Sequence, residues 1–457
     1  MAPTSVRAAL LAAVLWLPGC LAPGDAHYRA LDGALATLER EHPPPVARPF
    51  AGAAELERET LVAEVLRRNP SIAAARFAWR AALARYPQVT SLDDPMVGYS
   101  VGPRSFGSGT ISQEAHRFDV SQAIPFLGKL SLRGAAALAE AEAASQDFAA
   151  VRLRLAAIAS MLFDEYWLLA RSADINHQHL ELVRELRTIA TARYGSGLAE
   201  QQDPLLAEVE ETRLLHRELV LGTAQRITAQ QLAALLHWRD GSQLPPPPTA
   251  LIPVSIPDDP IPDVALETRP ELHAAESRID AREAAAGSAQ REFFPDVRLF
   301  GSYDRSWDAT DMRPMVGLEI NVPLRLGRRR AAVEQARAEL EQARRERQRI
   351  EDEVRTEVVT ARERLAEAQH LGVLTRDRLL PAARDRAAAI RAGFAAGRSE
   401  FDDWIDAERA VRDAELAAES ALADVSRRAA ELAAALGQMP SSDTSSGRSG
   451  AHGASHE

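Results

Sequence analysis

Four short stretches of the chain alternate apolar and polar side chains with period two, and most of what lies between them repeats with the three-and-four spacing of helices. Phe118, Val120 and Ile124 share one face of the second stretch, with Arg117, Asp119 and Ser121 on the other. In the fourth, Val316, Leu318, Ile320 and Val322 alternate with Gly317, Glu319 and Asn321. Weaker versions run through Val97, Tyr99 and Val101, and through Val297, Leu299 and Tyr303. The pattern predicts two hairpins, Met96 to Ile124 and Asp296 to Val322, oily on one side and charged on the other. Such strands suit either a half-buried soluble sheet or a membrane barrel with a wet lumen.

The hairpins leave through Pro125-Phe126-Leu127-Gly128-Lys129 and Pro323-Leu324-Arg325-Leu326-Gly327-Arg328. Proline ends ladder pairing and glycine permits a sharp turn, so both segments are predicted joints between strand and helix. Long helical patterns follow, roughly Leu130 to Tyr194 and Arg328 to Phe394, the second interrupted by Gly372 and Pro381. At ~1.5 Å per residue, some 65 residues would reach on the order of 100 Å, too far to wrap one domain. The predicted seams are Leu155, Ile158, Leu162, Tyr166, Leu169 and Ala173, and Ile350, Val354, Val358, Ala361, Leu365 and Ala368. Coiled coils and helix bundles share that spacing, and the Ala-rich second faces predict neighbours on both sides. Return helices are predicted over Leu205 to Leu236 and Trp404 to Leu436, with shorter helical stretches around Glu55 to Arg85 and Val264 to Arg291.

The halves repeat each other. Tyr194, Gly197, Glu200, Asp203, Ala207 and Glu208 recur with the same spacing as Phe394, Gly397, Glu400, Asp403, Ala407 and Glu408, and Asn69-Pro70 answers to Arg269-Pro270. Spacing held over that distance predicts two copies of one unit, 55–243 and 264–437, joined by a Pro-rich connector at 244–263 and followed by a disordered Ser/Gly/His tail at 438–457. Each copy supplies one hairpin, and four strands cannot close a barrel. Lipid tolerates no open edge, so three chains of four strands each would be needed, with Arg117, Asp119, Arg298, Glu319 and Asn321 facing the lumen.

Aromatic residues are only 5 %, the balance of long helices packed through small side chains rather than of a thick core. The net charge of −11 argues against nucleic acid as a partner. At the N-terminus Arg7, an apolar run from Ala8 to Leu17 and Leu17-Pro18-Gly19-Cys20 predict a lipoprotein signal over 1–19, lipidation of Cys20 and an anchored segment 20–54. Cys20 is the sole cysteine and so has no disulfide partner within the chain. Downstream of it no apolar run is long enough for a spanning helix.

Export signal, lipobox, paired hairpins, paired long helices and duplicated tips together resemble the TolC-like outer-membrane efflux proteins, over about residues 55 to 437. The segments Asp94-Pro95-Met96 and Ile124 through Lys129 are similar to the lipidated heavy-metal and cation branch. The resemblance implies a mainly α fold with a small membrane β part. Long helical hairpins would form a periplasmic α-barrel, and four strands per chain a trimeric twelve-stranded outer-membrane β-barrel. It implies a homotrimer held in outer-membrane lipid, a periplasmic membrane-fusion adaptor, and an inner-membrane pump of the resistance-nodulation-division type. In such ducts aspartates six and nine residues after the second tip glycine close the inner end, which here are Asp403 and Asp406, with Asp203 as the first-copy counterpart. Stacked carboxylates would bind cations and raise some of their own pKa values. Ser196, Gly197 and Leu198, with Ala396, Gly397 and Arg398, match the adaptor-contacting tips. The family's latch arginine is replaced by Ser399, with Arg398 one position earlier.

No catalytic constellation, cofactor motif or metal site is legible. His177 and His179 lie two apart on a helix, face different ways, and are read as surface histidines rather than ligands. The remaining alternative is a lipid-anchored periplasmic coiled-coil adaptor or scaffold with a small soluble sheet.

Overall fold

A computed structural model describes residues 24–41, 50, 52–102, 115–239, 244–255, 262–305 and 313–441. Most of them are helical. In chain order the elements are α1 (Asp25–Glu41), α2 (Arg58–Arg68), α3 (Pro70–Leu83), α4 (Arg85–Thr90), β1 (Met96–Gly102), β2 (Ala115–Ile124), α5 (Lys129–Gly195) and α6 (Gln202–Leu235). The second half repeats this order with α7 (Pro262–Thr268), α8 (Pro270–Arg291), β3 (Val297–Asp304), β4 (Pro314–Ile320) and α9 (Leu326–Leu374). A π-helical turn (Thr375–Leu379), α10 (Leu380–Ala395) and α11 (Phe401–Ala435) complete it. The chain is thus mainly α with a small antiparallel β part.

Contacts divide the chain into two compact units, each drawing on both repeats. The first holds α1, residues 76–147 and residues 271–349, hence all four strands. They form one antiparallel sheet in the order β1-β2-β3-β4, so the two hairpins join through β2 and β3. The joint below them is built on Lys129, which is only 1 % exposed. Its Nζ donates to Asp296 Oδ1 at 2.9 Å, the oxygen that also accepts from the Phe126 amide at 2.8 Å. Phe126 stacks on Phe294 with centroids 4.6 Å apart. The first joint has the predicted form, with Gly128 in the left-handed region at φ +87° just before α5. At the second joint the helix begins at Leu326, so Gly327 lies inside its first turn and makes no corner.

The second unit holds the rest of α5 and α9 with α2, α6, α7, α10 and α11. A buried polar knot ties its segments together: Arg58 Nη2 donates to Asp164 Oδ1 at 2.7 Å, to the Ile252 carbonyl at 3.0 Å and to Ser426 Oγ at 3.2 Å. Burial pushes the Asp164 carboxyl up, against the pull of Arg58. In the connector Leu251 and Val254 are buried, while Ile252 between them keeps its side chain exposed and lends its carbonyl to Arg58.

The short stretches predicted before each hairpin as continuous helices are broken at Asn69-Pro70 and Arg269-Pro270, because proline cannot donate and restrains the residue before it. Those breaks cap the return helices. Asn69 Nδ2 donates to the Leu235 carbonyl and Arg269 Nη1 to the Ala435 carbonyl, at 3.0 and 3.1 Å. The second predicted seam is buried from Val354 through Ala368. The first is displaced: Ala156, Ala159, Phe163 and Trp167 are buried, whereas Ile158, Leu162, Tyr166, Leu169 and Ala173 are only half-buried. Small side chains let helices approach closely along the alanine stripe, while Ile158, Met161 and Leu162 line an open groove of about 560 Å³ with Ala234 and Leu235.

Candidate functional site

Both helical hairpins turn through the same cap. The Leu198 amide donates to the Arg193 carbonyl at 2.9 Å and that of Gly197 to Tyr194 at 3.0 Å. In the second tip Arg398 donates to Gly393 at 2.8 Å and Gly397 to Phe394 at 3.0 Å. These are the two bonds of a Schellman end, which needs a left-handed residue, here Gly197 at φ +75° and Gly397 at +69°. The return helices end the same way two hundred residues apart, with Gly437 at +75° and His237, the counterpart, at +50°. Ser196, Gly197, Leu198, Ala396, Gly397 and Arg398 all stand exposed, a ready contact surface. Beneath them Leu186, Ala190, Ala207, Phe401, Trp404 and Ile405 form a buried cluster that fixes both turns.

The acidic residues lie on this platform. Asp403 is in the first turn of α11, where its Oδ2 accepts from the Glu400 amide at 3.4 Å, so it is a helix-start carboxylate as well as a candidate gate. Asp406 is exposed one turn on, and its Oδ1 accepts from Arg409 Nη1 at 2.7 Å. Asp203 begins α6, and its carboxyl is raised above the usual range by burial first, then by Glu200 and Asp402, with Arg193 pulling the other way. Asp402 therefore belongs to the acidic group although the spacing argument did not single it out.

The ion pairs that join the two tips were not legible in the sequence. Glu210, 2 % exposed, accepts from Arg409 Nε at 2.7 Å and Arg412 Nη1 at 3.0 Å, bonding α6 to α11. Arg409 holds Glu210 and Asp406 at once. A carboxylate on the otherwise apolar stripe of Ala207, Leu214 and Leu221 was the available signal. Arg193 lies 4.5 Å above the Phe394 ring, so the tip arginine engaged in this chain comes from α5. Arg398 is exposed, and Ser399 packs so closely on Gly393 that a Cβ there would meet its Oγ at 2.3 Å.

In the sheet the register assigns every side chain to a face. Arg117 and Asp119 lie opposite Ser100 and Gly98, and Arg298 lies opposite Glu319, with nitrogen and oxygen 3.9 Å apart. Asn321 falls one residue beyond β4, its amide bonded to the Asp296 carbonyl, so it stands at the rim rather than within the strand. The opposite face carries Val97, Tyr99, Val101, Phe118, Val120, Leu299, Tyr303, Val316, Leu318 and Ile320, all exposed in the single chain, Val316 to 90 %. Its polar members are His116, whose Nδ1 is 2.7 Å from the Tyr99 hydroxyl, and Gln122. Among the described residues, β1 and β4 each keep one edge unpaired.

Cys20 lies outside the described residues. His177 is exposed, but His179 is buried against α11, with Nε2 3.1 Å from Glu415 Oε2, which corrects its reading as a surface residue. No cluster of three or more metal-ligating His, Cys, Asp or Glu side chains occurs among the described residues. None of their helices is long and apolar enough to cross a membrane.

Residues 261–438, the second repeat, match the family described as "Outer membrane efflux protein". Outer membrane protein OprJ of Pseudomonas aeruginosa is 28 % identical over 213 residues, a match covering 45 % of this chain and 44 % of OprJ. The chain thus aligns with less than half the length of that relative. Among solved structures, the outer membrane protein VceC of Vibrio cholerae superposes with a TM-score of 0.72 at 19 % identity, covering 83 % of this chain and 96 % of that one. The outer-membrane channel OprN gives 0.69 at 22 %, covering 86 % and 95 %. The fold is that of these outer-membrane proteins.

Proposed function

We propose that three copies of this chain form an outer-membrane efflux duct, a passive exit that a periplasmic adaptor and an inner-membrane pump recruit. The observation that carries this reading is the four-stranded sheet. One face is largely apolar and exposed across all four strands, the other carries Arg117, Asp119, Arg298 and Glu319, and the outer edges of β1 and β4 pair with no described strand. An exposed apolar surface of that extent marks a membrane or protein contact, and in lipid the edges must close. Joining β4 of one copy to β1 of the next satisfies both demands around a wet lumen. A scaffold with a soluble sheet would instead bury the apolar face. The match of the second repeat to the efflux family supports the same reading.

The tips are the inner aperture in this reading. Asp403, Asp406 and Asp203 gather there in three copies, selecting cations, and the exposed turns around Gly197 and Gly397 meet the adaptor. Cys20 carries the lipid anchor. Metal cations are the proposed cargo, on the acidic aperture and the resemblance of the first hairpin. Single-channel recording in planar bilayers tests this: the protein should insert pores, and replacing Asp403 and Asp406 together by Ala should raise conductance and weaken block by multivalent cations. Failure to form pores would reject the duct, and unchanged traces would remove the two aspartates from the gate.

A further inference from the structure

The apolar face of the sheet ends in two cations. On that face Ile124, Val297 and Ile320 share the row nearest the long helices, and Val97, Val120 and Val316 lie two rows further out. The next row is aromatic, with Tyr99, Phe118 and Tyr303 side by side and the first two rings 4.7 Å apart at their centroids. Beyond it His116 lies opposite Val101. The Arg305 amide donates to the His116 carbonyl at 2.9 Å, which extends the pairing of Asp304 with Arg117 by one residue and sets Arg305 beside His116 on the same face. Arg305 is exposed and His116 half-buried. The imidazole is held in place by Tyr99, whose hydroxyl is 2.7 Å from Nδ1 and whose ring stacks on it with centroids 6.0 Å apart. With that hydroxyl donating to Nδ1, or with the ring protonated, Nε2 carries a proton and is a donor.

Charge and height single out the same pair. The acids of the four strands, Asp119, Asp304 and Glu319, all fall on the other face, as do Arg117 and Arg298. Inward of His116 and Arg305, the strand residues on the apolar face are uncharged. From Ile124 to His116 the strand advances about 27 Å. At the tilt of a barrel strand that is roughly 20 Å of height, against an apolar band about 25 Å tall. The row of Tyr99, Phe118 and Tyr303 suits the aromatic girdle that closes such a band, and His116 and Arg305 stand one row beyond it, at the level of headgroups. A guanidinium fork matches phosphate oxygens two at a time, and a cation at this depth costs little.

We propose that His116 and Arg305 bind the phosphate of an outer-leaflet lipid whose acyl chains lie along Val97, Val120 and Val316. The proposal rests on the duct reading, in which the helices lead into the periplasm and this end of the strands faces outward, and it adds a lipid site to each copy. Arg305 supplies charge and a planar fork. His116, oriented by Tyr99, supplies a second donor, and the aromatic row sets the depth at which both meet the headgroup. Two donors on an open surface hold a free phosphate weakly, whereas a lipid also brings its chains to the exposed valines.

Lipid retention decides it. The full-length protein is reconstituted in phosphatidylcholine vesicles containing lipid A and extracted with detergent, and the lipid A kept per chain is counted by native mass spectrometry. The wild type should keep on the order of tenfold more than His116→Gln with Arg305→Gln, and on the order of tenfold more lipid A than its dephosphorylated form. Arg305→Lys, which keeps the charge and loses the fork, should fall between. Arg344→Gln, an exposed arginine on α9, should match the wild type. Equal retention by the double variant, or of the two lipid forms, would overturn the site, as would displacement of lipid A by inorganic phosphate. Protein that enters the vesicles and keeps no lipid A would reject this site alone, whereas protein that does not enter them would reject the duct reading and the site with it.

Discussion

In the proposed aperture, Asp203 is the acid whose own surroundings most clearly perturb it. Partial burial and the neighbouring Glu200 and Asp402 favour its neutral form in the folded tip. A carboxyl whose folded pKa is raised lends most stability below the ordinary carboxylate range, near ~3.9, and that contribution is lost as pH rises through the raised value. Acidifying the wild type from neutral toward that range should therefore steady the closed tip and lower the open fraction in bilayers. Asp203→Asn, neutral at every pH, should hold the low-pH behaviour at neutral pH and flatten most of the dependence. A variant that tracks the wild type would clear Asp203 of this role. Glu415 has the opposite sign, since the hydrogen bond from His179, then Arg384, holds it below its usual range. Residue identity showed where the acids are but not what they touch. Glu210 and Arg409 stand 199 positions apart and meet only because α6 packs on α11.

At the scale of elements, the sheet is where pattern and structure agree best. Period-two alternation sorts side chains by face without any tertiary knowledge, and both hairpins fall within the predicted ranges. The seam of α5 was harder to read, because hydrophobic size pointed to Ile158 and Leu162 whereas close packing chose Ala156 and Ala159. The breaks at Asn69 and Arg269 were written in the following prolines, but their capping of the return helices depends on packing that no local window contains. The faces yield a sharp contrast. Leu318→Arg, on the apolar face, should cost about 2–4 kcal/mol if that face meets lipid, while Glu319→Gln on the polar face should cost little. The recovery of folded protein in the outer-membrane fraction reads both. Equal recovery would mean that the face does not meet lipid.

At the scale of the molecule, duplication gives the proposed duct two hairpins per chain, to be matched by those of other copies. Each repeat supplies a hairpin, a long helix and a return helix, and in the proposed duct the edges of β1 and β4 that no described strand pairs are closed by further copies. The same duplication lets the halves specialise, with a continuous helix in one and a π turn in the other. Native mass spectrometry of the protein extracted from the outer membrane tests the central claim most directly. The account predicts three chains per particle; a single chain, stable without partners, would contradict it.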